Sequence, residues 1–304
     1  MAAAEKPAKL VDHHSAEALL KRMEWTVLRR LDGVLQGDHR TLMRGAGLDL
    51  ADLREYQHHD DVRHIDWNVT ARMDTPYVRT FLEDREMTAW LLLDRSPSMG
   101  FGPTDRPKEA VLIELATTLA RLLTRGGNRV GAILFNNTVE RTIPPLGGRR
   151  QVLRLTHHLL RPTVGDGTST QLERLVRAGS STIRRRSLVV IISDFISEPG
   201  WERPLSLLSR RHEVLAIRLV DPHELDLPAA GEIVVEDVET GELLSVDTSD
   251  PEFRRRFHDA AMERELVLGA ATRRSGVDLH DVSTQDDLVR ALVRIVERRR
   301  RQQR

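Results

Sequence analysis

Cysteine is absent from all 304 residues. The chain can therefore form neither a disulfide nor a thiolate metal site, and nothing in it points to an oxidising compartment. Aromatic residues make up only 4% of the sequence, too few for the stacked platforms that grip single-stranded nucleic acid. Excess charge of either sign is missing as well. The 46 lysines and arginines balance 46 aspartates and glutamates, which removes any global pull toward nucleic acid or an anionic membrane. No apolar run approaches the length of a bilayer span, and Met1 to Pro7 lack the apolar core of a signal peptide. Neither a Gly-x-Ser-x-Gly elbow nor a Walker loop occurs, so ATP hydrolysis would have to come from another chain. The expectation is a cytoplasmic protein with no nucleic-acid partner and no membrane span.

What the chain does contain is an alternation of helix-like and strand-like segments. Ser15 to Leu35 place Leu19, Leu20, Met23, Val27, Leu28 and Leu31 on one helical face, with Gly37 as the stop. An irregular but anchor-rich stretch runs from Asp38 to Arg85. Beyond Met87 the pattern becomes strand, helix, strand. A helix opening near Pro107 carries Val111, Leu112, Leu115, Leu119, Leu122 and Leu123 and closes at Gly126 and Gly127. Arg129 to Phe135 reads as a strand, with a short edge partner from Thr138 to Ile143. Helices are expected over 149–160, 170–183 and about 201–210, and strands over 187–194 and 213–219. Residues 232–238 and 243–247 read as a polar-faced hairpin inserted late in the sheet. A long helix from 251 to 274, a strand near 277–282 and a helix from Thr284 into the basic tail complete the chain. The predicted fold is α/β, a doubly wound, mostly parallel sheet. Its parts are a flexible N-terminus (1–14), an appended helix and irregular segment (15–85), the sheet domain (86–296) with its hairpin at about 230–248, and a basic tail (297–304).

Two of the predicted strands end on acids. The apolar run Trp90 to Leu93 stops at Asp94, and Ser96 and Ser98 follow on alternate residues. One charged and two neutral oxygens in a tight turn can be aimed at one point, and oxygen-only ligation suits Mg2+. The run Ser187 to Ser193 stops at Asp194 in the same way. Acids at the C-terminal ends of two parallel strands share the rim where open α/β sheets bind ligands. Between them, Gly165 and Gly167 loosen a loop that offers a further hydroxyl, Thr168. Turn capping would explain Asp94, Ser96 and Ser98 taken alone, and Ser169 or Thr170 could equally serve as a helix N-cap.

The ordered set Asp94, Ser96, Ser98, Thr168 and Asp194 resembles the metal-ion-dependent adhesion site of von Willebrand factor A domains. That resemblance implies a Rossmann-like fold, and a divalent ion held by the two serines and the threonine while the acids act largely through water. An open position on the ion would take a carboxylate from a partner. A second resemblance lies upstream. Tyr56-Gln57, Asp60 to Arg63, Ile65 to Asn68, Ala71-Arg72 and Pro76 to Val78 look like the signature of the bacterial "domain of unknown function 58" family, as does Asp237 to Glu242. This resemblance implies partnership with MoxR-type AAA+ ATPases, as an adaptor or chaperone-like protein acting on clients.

The expected function is therefore a non-enzymatic, metal-dependent protein-binding module. Its ion would be Mg2+ (or Mn2+ or Ca2+), and its partners a MoxR-type ATPase and a client bearing an acidic residue. A phosphoryl-transfer hydrolase using Asp94 as nucleophile is the alternative, but Ser96 stands where such enzymes need a second acid, and serine is no proton donor at neutral pH. A scaffold with a vestigial site is the third reading. The group Asp61, Arg63, Asp66, Trp67, Asn68 and Arg72 reads as a buried polar lock around the tryptophan, with an ATPase-docking surface as its alternative. The pairs His13-His14, His58-His59 and His157-His158 read as solvated, and so does the arginine run 298–301.

Overall fold

The computed structural model describes residues 17–20, 52–57, 62, 65–73, 75–80, 87–103, 106–163, 171–236 and 243–302. Its centre is a six-stranded sheet. The strands are β3 (Thr88–Asp94), β4 (Arg129–Asn136), β5 (Thr138–Leu146), β6 (Leu188–Ser193), β7 (Glu213–Val220) and β10 (Leu279–Ser283), in the spatial order β10-β7-β6-β3-β4-β5. All neighbours are parallel except β4 and β5.

Burial on both faces explains the continuous apolar runs of the central strands. Leu91 and Leu93 of β3 and Val190 and Ile192 of β6 enter one core, which α2 (Lys108–Arg125), α3 (Gly148–Leu159) and α7 (Leu288–Gln302) cover. Trp90, Leu92, Val189 and Ile191 enter the other, which α4 (Leu172–Thr182), α5 (Glu202–Arg211) and α6 (Pro251–Ser275) cover. The alternation follows from the two-residue period of a strand. Helix α4 approaches β3 so closely that a Cβ on Gly179 would lie 2.6 Å from Leu92 Cδ2. The predicted doubly wound α/β architecture is therefore present.

Several expectations are corrected. The hairpin of β8 (Glu232–Glu236) and β9 (Leu243–Asp247) forms a two-stranded sheet of its own instead of joining the main one. The edge strand β5 extends past Ile143 through Pro144 and Pro145. Upstream, β1 (Asp52–Glu55) pairs antiparallel with β2 (Tyr77–Thr80), and α1 (Trp67–Met73) lies between them. Trp67 is 69% exposed and so is not the centre of a buried lock. The physical reason is the cap: Asp66 is buried and its Oδ1 accepts the Val69 N–H at 3.3 Å, which leaves Trp67 at the first, outward position of the helix. Asp61 and Arg63, the pairs His13-His14 and His58-His59, residues 15–16 and 21–35 of the predicted N-terminal helix, and 237–242 all lie outside the described residues. The solvated readings fail at three positions, His157 being half-buried like its neighbour. His158 is half-buried, and Arg299 is buried, with its guanidinium against Glu213.

Candidate functional site

Strand order places the site. The chain leaves β3 toward β4, on one side, and leaves β6 toward β7, on the other, although β3 and β6 are neighbours. A crevice opens at such a switch point, at the C-terminal ends of the strands. Asp94 is the last residue of β3, and Asp194 is the first beyond β6. Both are buried.

A backbone N–H holds each acid, with a hydroxyl added at Asp94. Asp94 Oδ1 accepts the Ser96 N–H at 3.0 Å, and Oδ2 accepts the Ser193 hydroxyl at 2.6 Å. Ser193 Oγ in turn accepts the Phe195 N–H at 2.9 Å. Asp194 Oδ1 accepts the Ile196 N–H at 3.0 Å. The turn that makes these bonds requires Phe195 to sit at φ 60, unusual for a bulky residue, with its ring packed edge-on to Trp201 at 5.4 Å. Ser96 Oγ and Ser98 Oγ lie 3.1 Å apart, on the loop and short 3-10 helix that follow β3.

The spacing of the sequence did not expose the cation of this cluster. Lys108 opens α2 and is fully buried. Its Nζ donates to Asp194 Oδ2 at 2.7 Å and to Glu224 Oε1 at 2.5 Å. Glu224 is fixed by a capping box after β7, its Oε2 accepting the Asp221 N–H at 3.0 Å. Arg95 leans away from the acids, donating to Glu140 Oε2 at 3.0 Å and to the Arg161 carbonyl at 2.5 Å, which ties the loop to β5 and the end of α3. Among the described residues, the cluster carries the carboxylates of Asp94, Asp194 and Glu224 against the one ammonium of Lys108.

That imbalance is felt at Asp94. Burial, reinforced by the negative charge of Asp194, pushes its carboxyl from the ordinary 3.8 up to about 6, against the opposing pull of the Ser193 and Ser96 hydrogen bonds. At Lys108 burial works against the ammonium, but the Asp194 and Glu224 carboxylates outweigh it and raise the pKa above its ordinary value. Of the predicted ligands, Asp94, Ser96, Ser98 and Asp194 therefore meet at one rim, and Thr168 lies outside the described residues. Ser193, Lys108 and Glu224 were missed. The signal for Lys108 was its place three and four residues before Val111 and Leu112, on the buried stripe of the helix. No cluster of three His, Cys, Asp or Glu side chains able to hold a metal occurs among the described residues, so a metal here would depend on hydroxyl oxygens.

A cavity of about 570 Å³ adjoins the cluster and shares Asp194 and Glu224 with it. Phe195, Trp201, Val220 and Leu268 line its apolar part, and Arg218 spans one side, donating to Glu265 at 2.8 and 2.9 Å.

These features define an α/β protein with an acid-rich site at the switch point of its sheet. The chain belongs to the family described as "Protein of unknown function DUF58", whose model matches residues 52–266. Among its relatives, uncharacterized protein Rv1480 of Mycobacterium tuberculosis and uncharacterized protein Mb1516 of Mycobacterium bovis are each 37% identical over 296 residues, covering 96% of this chain and 92% of theirs. Two solved structures are looser matches. The conserved hypothetical protein BatB from Bacteroides thetaiotaomicron has a TM-score of 0.45 at 13% identity, over 71% of this chain and 99% of that one. An aerotolerance-related membrane protein from Bacteroides fragilis has a TM-score of 0.42 at 15% identity, with the same coverage. No helix among the described residues is long and apolar enough to cross a membrane.

Proposed function

We propose that this protein is a non-enzymatic, metal-dependent protein-binding module. On this reading Asp94, Ser96 and Ser98, joined by Thr168 and Asp194, hold Mg2+ (or Mn2+ or Ca2+) at a site like the adhesion site of von Willebrand factor A domains. The bound ion supplies positive charge with an open position for a Glu or Asp of a client. The protein then serves in the cytoplasm as an adaptor or chaperone-like partner of a MoxR-type AAA+ ATPase.

The observation that carries the reading is buried charge out of balance. Two acids sit at the switch point with too little cation around them, beside two serine hydroxyls 3.1 Å apart. Hard oxygen donors and uncompensated negative charge fit a hard divalent cation. The donor set also suits an open position, because serine oxygens contribute no charge and leave more of the ion's own charge for an incoming carboxylate. Asp94 is a poor nucleophile by comparison. It is fully buried and both its oxygens already accept hydrogen bonds, which favours binding over phosphoryl transfer.

Calorimetric titration of Mg2+ into the natural chain, Asp94→Ala and Ser98→Ala tests the reading. Saturable binding in the natural chain that both substitutions abolish is the expected result. Absence of saturable binding in the natural chain refutes it.

A further inference from the structure

Lys108 has no role in the metal-binding reading so far, yet among the described residues it is the one ammonium of the cluster, held in a fully buried place. Its side chain is 0% exposed, and it begins α2, where the helix dipole disfavours positive charge. Two carboxylates hold it there, Asp194 Oδ2 at 2.7 Å and Glu224 Oε1 at 2.5 Å. With Oδ1 taken by the Ile196 N–H and Oδ2 by Lys108, Asp194 is engaged on both oxygens by the protein itself.

We propose that Lys108 is a specificity-determining residue of the metal site, a tethered internal cation that occupies Asp194 and keeps it from ligating the ion directly. The inference rests on the metal-binding reading. Lys108 then has two effects. It weakens the affinity of the site for any divalent ion, because a fixed positive charge stands nearby. It also leaves Asp94, whose oxygens accept only from the neutral Ser96 N–H and Ser193 hydroxyl, as the acid of the pair whose charge is not already matched by a cation, which disfavours Ca2+, an ion bound by several carboxylates, relative to Mg2+. The ion's charge is left to be satisfied by an acid from outside the chain.

The test compares Mg2+ and Ca2+ binding by calorimetry, with thermal melts in chelator as a check on folding. Removing Lys108 alone would leave Asp194 and Glu224 facing each other, so Lys108→Met is combined with Glu224→Gln, which keeps the local charge unchanged. The double variant is expected to bind Mg2+ about tenfold or more tightly than Glu224→Gln, since one unit charge is removed from the neighbourhood of the ion. Its discrimination against Ca2+ is expected to shrink. Lys108→Arg, which keeps the charge, is expected to bind as the natural chain does. Equal or weaker Mg2+ binding in the double variant overturns the role given to Lys108. If the natural chain still binds Mg2+ and Ser98→Ala does not, the metal-binding reading survives that failure. If no chain binds, both fall.

Discussion

Replacing Asp94 with asparagine should stabilise the metal-free protein, the opposite of what a turn-capping aspartate would show. In the folded state the Asp94 carboxyl is pushed from 3.8 up to about 6 by burial and by Asp194. A folded pKa above the unfolded one means that Asp94 adds stability at low pH, in full below about pH 4, and that this is lost as pH rises through about 6. Two pH units correspond to about 3 kcal/mol at pH 7.5. Asparagine keeps the shape and can accept the Ser96 N–H, but its amide group must rearrange the bond to Ser193, a loss of about 1 kcal/mol. The net gain is about 2 kcal/mol, worth on the order of 5 °C in melting temperature for a chain of this size. Thermal and urea melts in chelator at pH 7.5 and pH 4 measure it. The gain should disappear or turn into a small loss at pH 4, where the natural carboxyl is protonated in the folded state and only partly ionised in the unfolded one, so that the weakened bond to Ser193 is what remains. A loss of stability in Asp94→Asn at pH 7.5 would show that the ionised carboxylate is satisfied by the protein alone, and would remove the reason for a cation.

Other consequences follow from packing, capping and the histidines. Gly179→Ala should cost about 1–3 kcal/mol because its Cβ would meet Leu92 in the packed core, outweighing the helix-propensity gain of about 1 kcal/mol; a higher urea midpoint would refute the close approach. Trp67→Ala should change stability by less than about 0.5 kcal/mol, whereas Asp66→Ala should cost about 1 kcal/mol through the lost cap. Equal losses in urea melts would restore the buried-lock reading. His158 is held down to about 4, by burial first and then by Arg141 and Arg161. The folded state resists its protonation, so the stability this neutral histidine provides is complete above about pH 6.5 and is lost as pH falls toward 4. His158→Gln should therefore gain on the natural chain by on the order of 1 kcal/mol between pH 7.5 and pH 5, after allowance for solvent screening. Parallel midpoints across that range would contradict it.

The parts of the site that could be read from the sequence are those written in strand grammar. An apolar run closing on an acid gave Asp94 and Asp194, and alternation of strands and helices gave the parallel sheet that sets them side by side. Lys108 was written in helix grammar, at the spacing of a buried stripe, but a lysine there reads as solvated until a carboxylate is known to face it. Asp194 and Glu224 come to it from 86 and 116 residues away, and no local pattern encodes that meeting. Ser193 was hidden differently, as one more small residue in a buried strand. The hairpin pairing of β8 and β9 was legible from alternation and turn residues, but its standing apart from the main sheet depends on packing. The exposure of Trp67 turned on a cap one residue earlier, which outweighed the charged surroundings that suggested a lock.

The edge strand β5 limits how this protein can be approached. Its outer side is mostly exposed, and an unpaired edge normally invites a strand from another chain. Pro144 and Pro145 offer no N–H to such a visitor, Glu140 and Arg141 place charge along the other half, and two irregularities in its register against β4 twist the strand out of a flat ribbon. Growth of the sheet by strand addition is thereby discouraged on this side. A partner that comes to this edge is left with side chains rather than backbone as its point of contact.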